Sequence, residues 1–99
     1  MKKLRHPPTA AEKKHMGDVA VLGCIVCLGL GLSSPAEIHH VYYGRMKRDH
    51  SRCIGLCAMH HRLGGMGVAL HSGKRTFESI YGTEADLLSQ VNSLLAEIG

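Results

Sequence analysis

The sequence has no tryptophan, one phenylalanine (Phe77) and only three tyrosines in 99 residues. Aromatic rings carry much of the buried area of small domains, so the apolar core is limited and a bound metal would usefully supplement it. A chain of this length is expected to form about one domain, hiding roughly two-thirds of the surface its unfolded form exposes. A membrane-spanning run is also missing. The uncharged stretch Val19 to Leu32 has 14 residues and is broken by Gly23, Gly29 and Gly31, whereas a bilayer needs about 20 apolar residues. That stretch lies well inside the chain with no Ala-x-Ala-like site after it, so it does not read as a secretory signal. An intracellular, cytoplasmic and reducing setting is expected. There four cysteines read as metal ligands, and a disulfide-rich secreted protein is the reading set aside. Residues 76–99 hold four acids and no base, while residues 1–75 hold all 12 Lys and Arg against four acids, a net +8. A basic body suits a polyanion, nucleic acid before membrane.

Residues 1–8 lack an apolar period and end in Pro7-Pro8, which predicts a flexible basic arm ahead of a single domain over 9–99. Thr9-Ala-Ala-Glu12 has capping-box spacing and predicts a helix from Ala10 to Leu22, weakened by Gly17. Cys24 to Cys27 predicts a tight knuckle with a Gly- and Ser-rich loop behind it. Ala36 to Tyr43 and Cys53 to Leu56 read as the two strands of a hairpin, joined by a basic loop from Gly44 to Arg52. Ala58 to Leu63 begins a helix that Gly64-Gly65 stops. Further helices are expected over Lys74 to Tyr81 and Glu84 to Ile98. The last is capped by Thr83 and carries a core stripe of Leu87, Leu88, Val91, Leu94, Leu95 and Ile98.

What the chain has in abundance is concentrated between residues 24 and 61: four cysteines and two His-His pairs. Cys24-Ile-Val-Cys27 and Cys57-Ala-Met-His60 are two ligand pairs with two residues between partners. Together they would close a tetrahedral structural Zn²⁺ site tying the knuckle to the helix after the hairpin. Cys53, four residues before Cys57, leaves an all-cysteine set open, although at an inner strand position a free Cys also serves as a small hydrophobe. A two-Cys, two-His finger fails on spacing, because Gly44, Arg45 and Met46 stand where its second His would be needed. His39, His40, His50, His61 and His71 remain. Neighbours on a strand point to opposite faces, so His39 and His40 are expected to take different roles. His60 and His61 diverge by about 100° on an α-helix, so one can complete the zinc site while the other faces the hairpin.

The segments Cys24-Ile-Val-Cys27, Glu37-Ile-His39-His40-Val41 and Leu56-Cys57-Ala-Met-His60-His61 resemble the HNH (ββα-metal) nuclease superfamily in its zinc-knuckle form. The pattern Gly67-Val-Ala-Leu-His71-Ser-Gly-Lys-Arg-Thr-Phe77, with Tyr81-Gly82-Thr83-Glu84, is similar to the phage Ref family of RecA-dependent nucleases. The resemblance implies an α+β fold: a zinc-stabilised ββα-metal core over about residues 36–64, flanked by an N-terminal helix and a C-terminal helical segment over 74–98. It makes His40 the general base and His39 and His61, with His71, ligands of a catalytic divalent metal, Mg²⁺, Mn²⁺ or Zn²⁺. The middle Asn of the HNH name has no counterpart, since the only Asn is Asn92. His50, before the second strand, is assigned the orienting role there.

Arg45, Lys47, Arg48 and Arg52 of the hairpin loop, Lys2, Lys3 and Arg5 of the arm, and Arg62 are the expected contacts to a DNA backbone. Phosphate contacts do not specify a base, so sequence selectivity is not implied. The expected activity is metal-dependent cleavage of DNA phosphodiesters by a phage or prophage protein in the cytoplasm of a bacterial host. RecA-coated DNA filaments are a candidate partner and no membrane is involved. The alternative is a zinc-stapled DNA-binding or adaptor module without catalysis, in which His39, His40 and His61 would be disposable and the cysteines would not.

Overall fold

A computed structural model describes residues 7–41 and 52–98. Helix α1 (Ala10–Leu22) starts at the expected capping box: Glu12 N–H donates to Thr9 Oγ1 at 3.2 Å and Thr9 N–H donates to Glu12 Oε1 at 2.9 Å. It ends at Gly23, whose φ of 89° is a left-handed conformation that favours glycine. The knuckle is more regular than its glycines suggest. Cys24 caps a short helix α2 (Ile25–Gly29), its sulfur accepting from Cys27 N–H at 3.4 Å.

Strands β1 (Glu37–His40) and β2 (Cys53–Leu56) pair antiparallel, with Glu37 opposite Leu56 and His40 opposite Cys53. β2 matches its expected span. β1 begins one residue later than expected and ends at His40, and the expected extension through Tyr43 lies outside the described residues beyond Val41. All four residues of β2 are buried, whereas those of β1 are half-buried, so β1 is the more accessible strand while β2 forms the floor of the core.

The helix after the hairpin is not an α-helix. Met59–Leu63 is π-helical, closed by Gly64 N–H donating to Met59 O at 2.9 Å, five residues back. A 3₁₀ turn (Leu70–Ser72) then leads into α3 (Lys74–Tyr81) and α4 (Glu84–Ile98), both with the expected bounds. Thr83 and Asp86 cap α4 reciprocally, at 3.0 Å from Asp86 N–H to Thr83 Oγ1 and 3.2 Å from Thr83 N–H to Asp86 Oδ2.

The core gathers Val19 of α1, Cys24, Ile25 and Val26 of the knuckle, Ile54 and Leu56 of β2, Phe77 of α3, and Leu87, Leu88 and Val91 of α4. Leu94 and Leu95 pack at its edge. Ile98 departs from the expected stripe: it is 74% exposed, beside Val21, Leu22 and Leu95 at the seam of α1 and α4. The apolar stripe of α4 therefore runs one turn further than the body it covers. The result is a small α+β fold with a two-stranded sheet, and no helix among the described residues is long and apolar enough to cross a membrane.

Close packing where α1 ends against the sheet leaves no room for a side chain at Gly55. A Cβ on Gly55 would stand 2.5 Å from Gly23 O and 2.8 Å from Ala36 Cβ, whereas one on Gly17 in α1 would meet nothing within 4 Å. The same substitution is therefore expected to have opposite signs at the two sites. Urea unfolding in zinc-replete buffer should find Gly17→Ala more stable by about 0.5–1 kcal/mol and Gly55→Ala less stable by about 1–3 kcal/mol.

Candidate functional site

Two clusters of ligating side chains sit on either side of the π-helical segment. In the first, Cys24 and Cys27 from the start of α2, Cys57 from the end of β2 and His60 from the π-helical segment bring their ligand atoms within 4.8 Å of one another. His60 Nδ1 lies 3.7, 3.6 and 3.2 Å from the sulfurs of Cys24, Cys27 and Cys57, and Cys27 Sγ lies 3.9 Å from Cys57 Sγ. Zinc bonds of about 2.3 Å to sulfur and about 2.0–2.1 Å to nitrogen, set tetrahedrally, give edges of about 3.8 Å (S···S) and about 3.6 Å (S···N). The donor set and its edges fit zinc. Cys53 is not part of the cluster and is fully buried in β2, the small-hydrophobe role rather than the ligand role.

Packing in this cluster shifts Cys24, Cys57 and His60. Burial pushes the Cys24 thiol up to about 11. Burial also acts to raise Cys57, but the backbone hydrogen bond at His60 and contacts with Cys24, Cys27 and Ser34 outweigh it, leaving that thiol below its usual range. Burial lowers His60, keeping its imidazole neutral with a lone pair to give. Thiols with opposite tendencies packed against a neutral imidazole are reconciled by a divalent cation, which deprotonates its coordinating sulfurs.

The second cluster is His39 of β1, His61 of the π-helical segment and His71 of the 3₁₀ turn. His61 Nε2 lies 3.3 Å from His39 Nδ1 and 3.0 Å from His71 Nε2. On their far sides the rings are held by carboxylates: His39 Nε2 is 2.9 Å from Glu84 Oε1, and His61 Nδ1 is 2.9 Å from Glu37 Oε1. A carboxylate accepts, so the hydrogen-bond network assigns the ring proton to Nε2 of His39 and to Nδ1 of His61. In its neutral form each ring would keep its acceptor lone pair on the inner nitrogen, and the two acceptors would then face each other. Such a pair is reconciled by a proton shared between the rings or by a metal cation bound to both. Metal–nitrogen bonds of about 2.0–2.1 Å place neighbouring ligand nitrogens about 2.9–3.4 Å apart, which fits the observed spans, and carboxylates behind ligating histidines are the usual support of such sites.

Both carboxylates are themselves held ionised. Hydrogen bonds from Arg62, then from His61, pull Glu37 down to about 2, and Arg62 Nη2 lies 2.7 Å from Glu37 Oε2. Burial acts to raise Glu84, whose side chain is only 10% exposed, yet the hydrogen bond and charge of His39 and the charge of Lys74 prevail and its carboxyl is lowered. His71 is lowered by burial and by the neighbouring His61 and His39, so it too favours the neutral, ligating form.

Beside this cluster opens a cavity of about 450 Å³ bordered by His39, His40, His71, Lys74 and Glu84. His39 and His40 do differ in setting, since His39 enters the cluster and His40 does not, and both residues border the one cavity. His60 and His61 separate into the two clusters as expected. Arg62, an expected DNA contact, has its guanidinium engaged by Glu37. Arg52 flanks β2, its carbonyl accepting from Val41 N–H at 2.7 Å. His50, Arg45, Lys47, Arg48, Lys2, Lys3 and Arg5 lie outside the described residues. Glu37, Lys74 and Glu84 were missed by sequence reasoning. Glu37 carried a signal, two residues before His39 and hence on the same face of β1, whereas Glu84 sits 45 residues from His39 and looked like an ordinary first-turn acid.

A family model described as "Recombination enhancement, RecA-dependent nuclease" matches residues 8–96. No curated protein matches the chain.

The first cluster generates a clear expectation for metal content. Purified protein should retain one zinc through dialysis, because a site assembled from two separate stretches of chain is coupled to folding. Cys57→Ser should lose that zinc and much of the cooperative unfolding transition. Cys53→Ala should keep the zinc and lose only packing. Metal analysis by mass spectrometry, run beside thermal melts, distinguishes the two, and zinc lost from Cys53→Ala alone would overturn the ligand set.

Proposed function

The chain belongs to the family of recombination-enhancement, RecA-dependent nucleases, and we propose that it hydrolyses DNA phosphodiester bonds in the manner of an HNH endonuclease. The observation that carries this reading is the inner set of imidazole nitrogens of His39, His61 and His71, backed by Glu37 and Glu84, beside His40 in one cavity. Three nitrogen ligands leave room in a metal's coordination sphere for other groups, unlike the closed four-ligand cysteine site. A divalent metal bound there supplies Lewis-acid stabilisation of charge on the phosphate and on the departing 3′ oxygen.

The protein's own residues then have separable tasks. His40 takes the proton of the attacking water, a task suited to an imidazole near neutral pH. Glu37 and Glu84 hold the rings of His61 and His39 in the ligating tautomer. Arg62 acts through Glu37 rather than on DNA directly. The zinc cluster fixes the end of β2 against α2, so the π-helical segment that starts beside it delivers His61 to the sheet. Arg52, with Arg45, Lys47 and Arg48 of the hairpin loop and Lys2, Lys3 and Arg5 of the arm, provides the positive field that draws the backbone in. His50 takes the orienting position of the missing Asn. The family name points to dependence on RecA, and the substrate form proposed is DNA coated with RecA, with the bacterial cytoplasm as the proposed setting.

The test is cleavage of plasmid and single-stranded DNA, with and without RecA filaments, across Mg²⁺, Mn²⁺ and Zn²⁺. His40→Ala is expected to keep the zinc, the fold and DNA binding while cleavage falls roughly 10²–10⁴-fold, the range for losing a general base. His39→Ala and His61→Ala should instead weaken the exchangeable metal, and raised metal concentration should partly restore their activity. A parent protein inactive on every DNA form and metal would replace the nuclease with a zinc-stapled binding module.

A further inference from the structure

Lys74 opens α3, and its side chain borders the cavity shared by His39, His40, His71 and Glu84. The mechanism above gives it no task. Among the described residues bordering the cavity it is the one Lys or Arg, in a wall otherwise made of imidazoles, small residues, Leu70 and one carboxylate. That carboxylate would repel a phosphate if it stood alone. Glu84 is instead shared, with Oε1 2.9 Å from His39 Nε2 and Oε2 3.5 Å from Lys74 Nζ.

The looser of these contacts is the informative one. Charge-assisted N–H···O pairs at their optimum close to about 2.7–2.9 Å, and the imidazole–carboxylate pair of His39 and Glu84 stands at 2.9 Å. Lys74 stays at 3.5 Å with 54% of its side chain exposed, and an ammonium has three donors. Glu84 thus orients Lys74 on the cavity wall and leaves two donors for another acceptor. An acceptor entering a cavity lined by metal-ligating imidazoles and a lysine is best anionic, compact and rich in oxygen, which describes a phosphodiester group.

We propose that Lys74 binds a non-bridging oxygen of the scissile phosphate. The assignment rests on the nuclease reading of the neighbouring histidines. As the water oxygen bonds to phosphorus and the P–O3′ bond breaks, His40 takes the water's proton, the 3′ oxygen leaves with the bonding pair and is protonated by solvent, and negative charge builds on the non-bridging oxygens. Lys74 meets that charge, so its effect is larger in the transition state than on the bound substrate. Arg75, the next residue, carries the same charge, is exposed and does not border the cavity. It is the matched control.

The experiment compares the zinc-loaded parent with Lys74→Gln, Lys74→Arg and Arg75→Gln. It measures Mn²⁺ affinity, binding of a fluorescein-labelled single-stranded oligonucleotide with and without Mn²⁺, and single-turnover cleavage of that oligonucleotide on RecA-free and RecA-coated DNA. Lys74→Gln is expected to slow cleavage about 10–100-fold at unchanged Mn²⁺ affinity, with partial recovery in Lys74→Arg. Arg75→Gln should cleave within about twofold of the parent, losing at most one phosphate contact's share of the salt dependence. Equal effects of the two Gln variants would overturn the proposal, leaving Lys74 a generic surface charge. A fall in Mn²⁺ affinity in Lys74→Gln would also overturn it, because Lys74 would then act through Glu84 on the histidines. If the parent cleaves nothing, the nuclease reading fails by itself, and Lys74 is judged on binding: a metal-dependent loss of oligonucleotide affinity confined to Lys74→Gln sustains the contact, and its absence ends it.

Discussion

Four potential ligand atoms within 4.8 Å of one another at the junction of α2, β2 and the π-helical segment join stretches of chain that are far apart in sequence. The core holds one large ring, Phe77, with aliphatic side chains around it, and a domain of this size buries too little to be strongly stable by apolar contact alone. Cys24 and Cys27 lie 30 or more residues from Cys57 and His60. A cation binding all four would remove much of the conformational freedom of the intervening chain, and β1, which carries His39 of the second cluster, lies within that span. The structural cluster and the candidate catalytic cluster are therefore not independent. They are consecutive residues, His60 and His61, of one irregular turn.

That turn explains how adjacent histidines serve different centres. The wider π-helical ring, closed from Gly64 to Met59, lets Cys57 and His60 meet at 3.2 Å while His61 reaches across to Glu37 and His39. π-Helical turns are rare and concentrate at functional sites, where an extra residue re-aims a side chain. The cost of such irregular geometry is offset on both sides, by the cysteine cluster and by the hydrogen bond of His61 to a carboxylate kept ionised by Arg62. Glu84 completes the arrangement from α4. A buried carboxylate is costly without partners, and His39 and Lys74 are those partners.

Local signals carried most of the secondary structure. The Thr9–Glu12 box, Thr83 and the closing glycines are chemical statements about neighbouring residues, and α1, α3 and α4 have the expected bounds. Ligand spacing likewise placed Cys24, Cys27, Cys57 and His60 together. What was not legible depends on distance or on backbone detail. Nothing near Glu84 announces a partner 45 residues away, and Met-His-His-Arg-Leu contains no residue that marks a π-helical ring. The glycines around Cys27 suggested a loop, but Cys24 acting as its own helix cap stabilises a short turn there. Arg62 looked like a free cation because its partner, Glu37, lies on another element. His71 illustrates the intermediate case: the family resemblance implied its role, and only the fold brings it to 3.0 Å from His61.

The claim on which the functional reading turns is that His39, His61 and His71 form a second, exchangeable metal centre beside the structural one. Anomalous diffraction from crystals grown with zinc and soaked in Co²⁺, with data collected on either side of the cobalt and zinc edges, addresses it directly. Two sites are expected: zinc among Cys24, Cys27, Cys57 and His60, and cobalt about 2.0–2.2 Å from His39 Nδ1, His61 Nε2 and His71 Nε2. Cobalt absent from the three imidazoles at saturating concentration, or bound elsewhere on the chain, would contradict it.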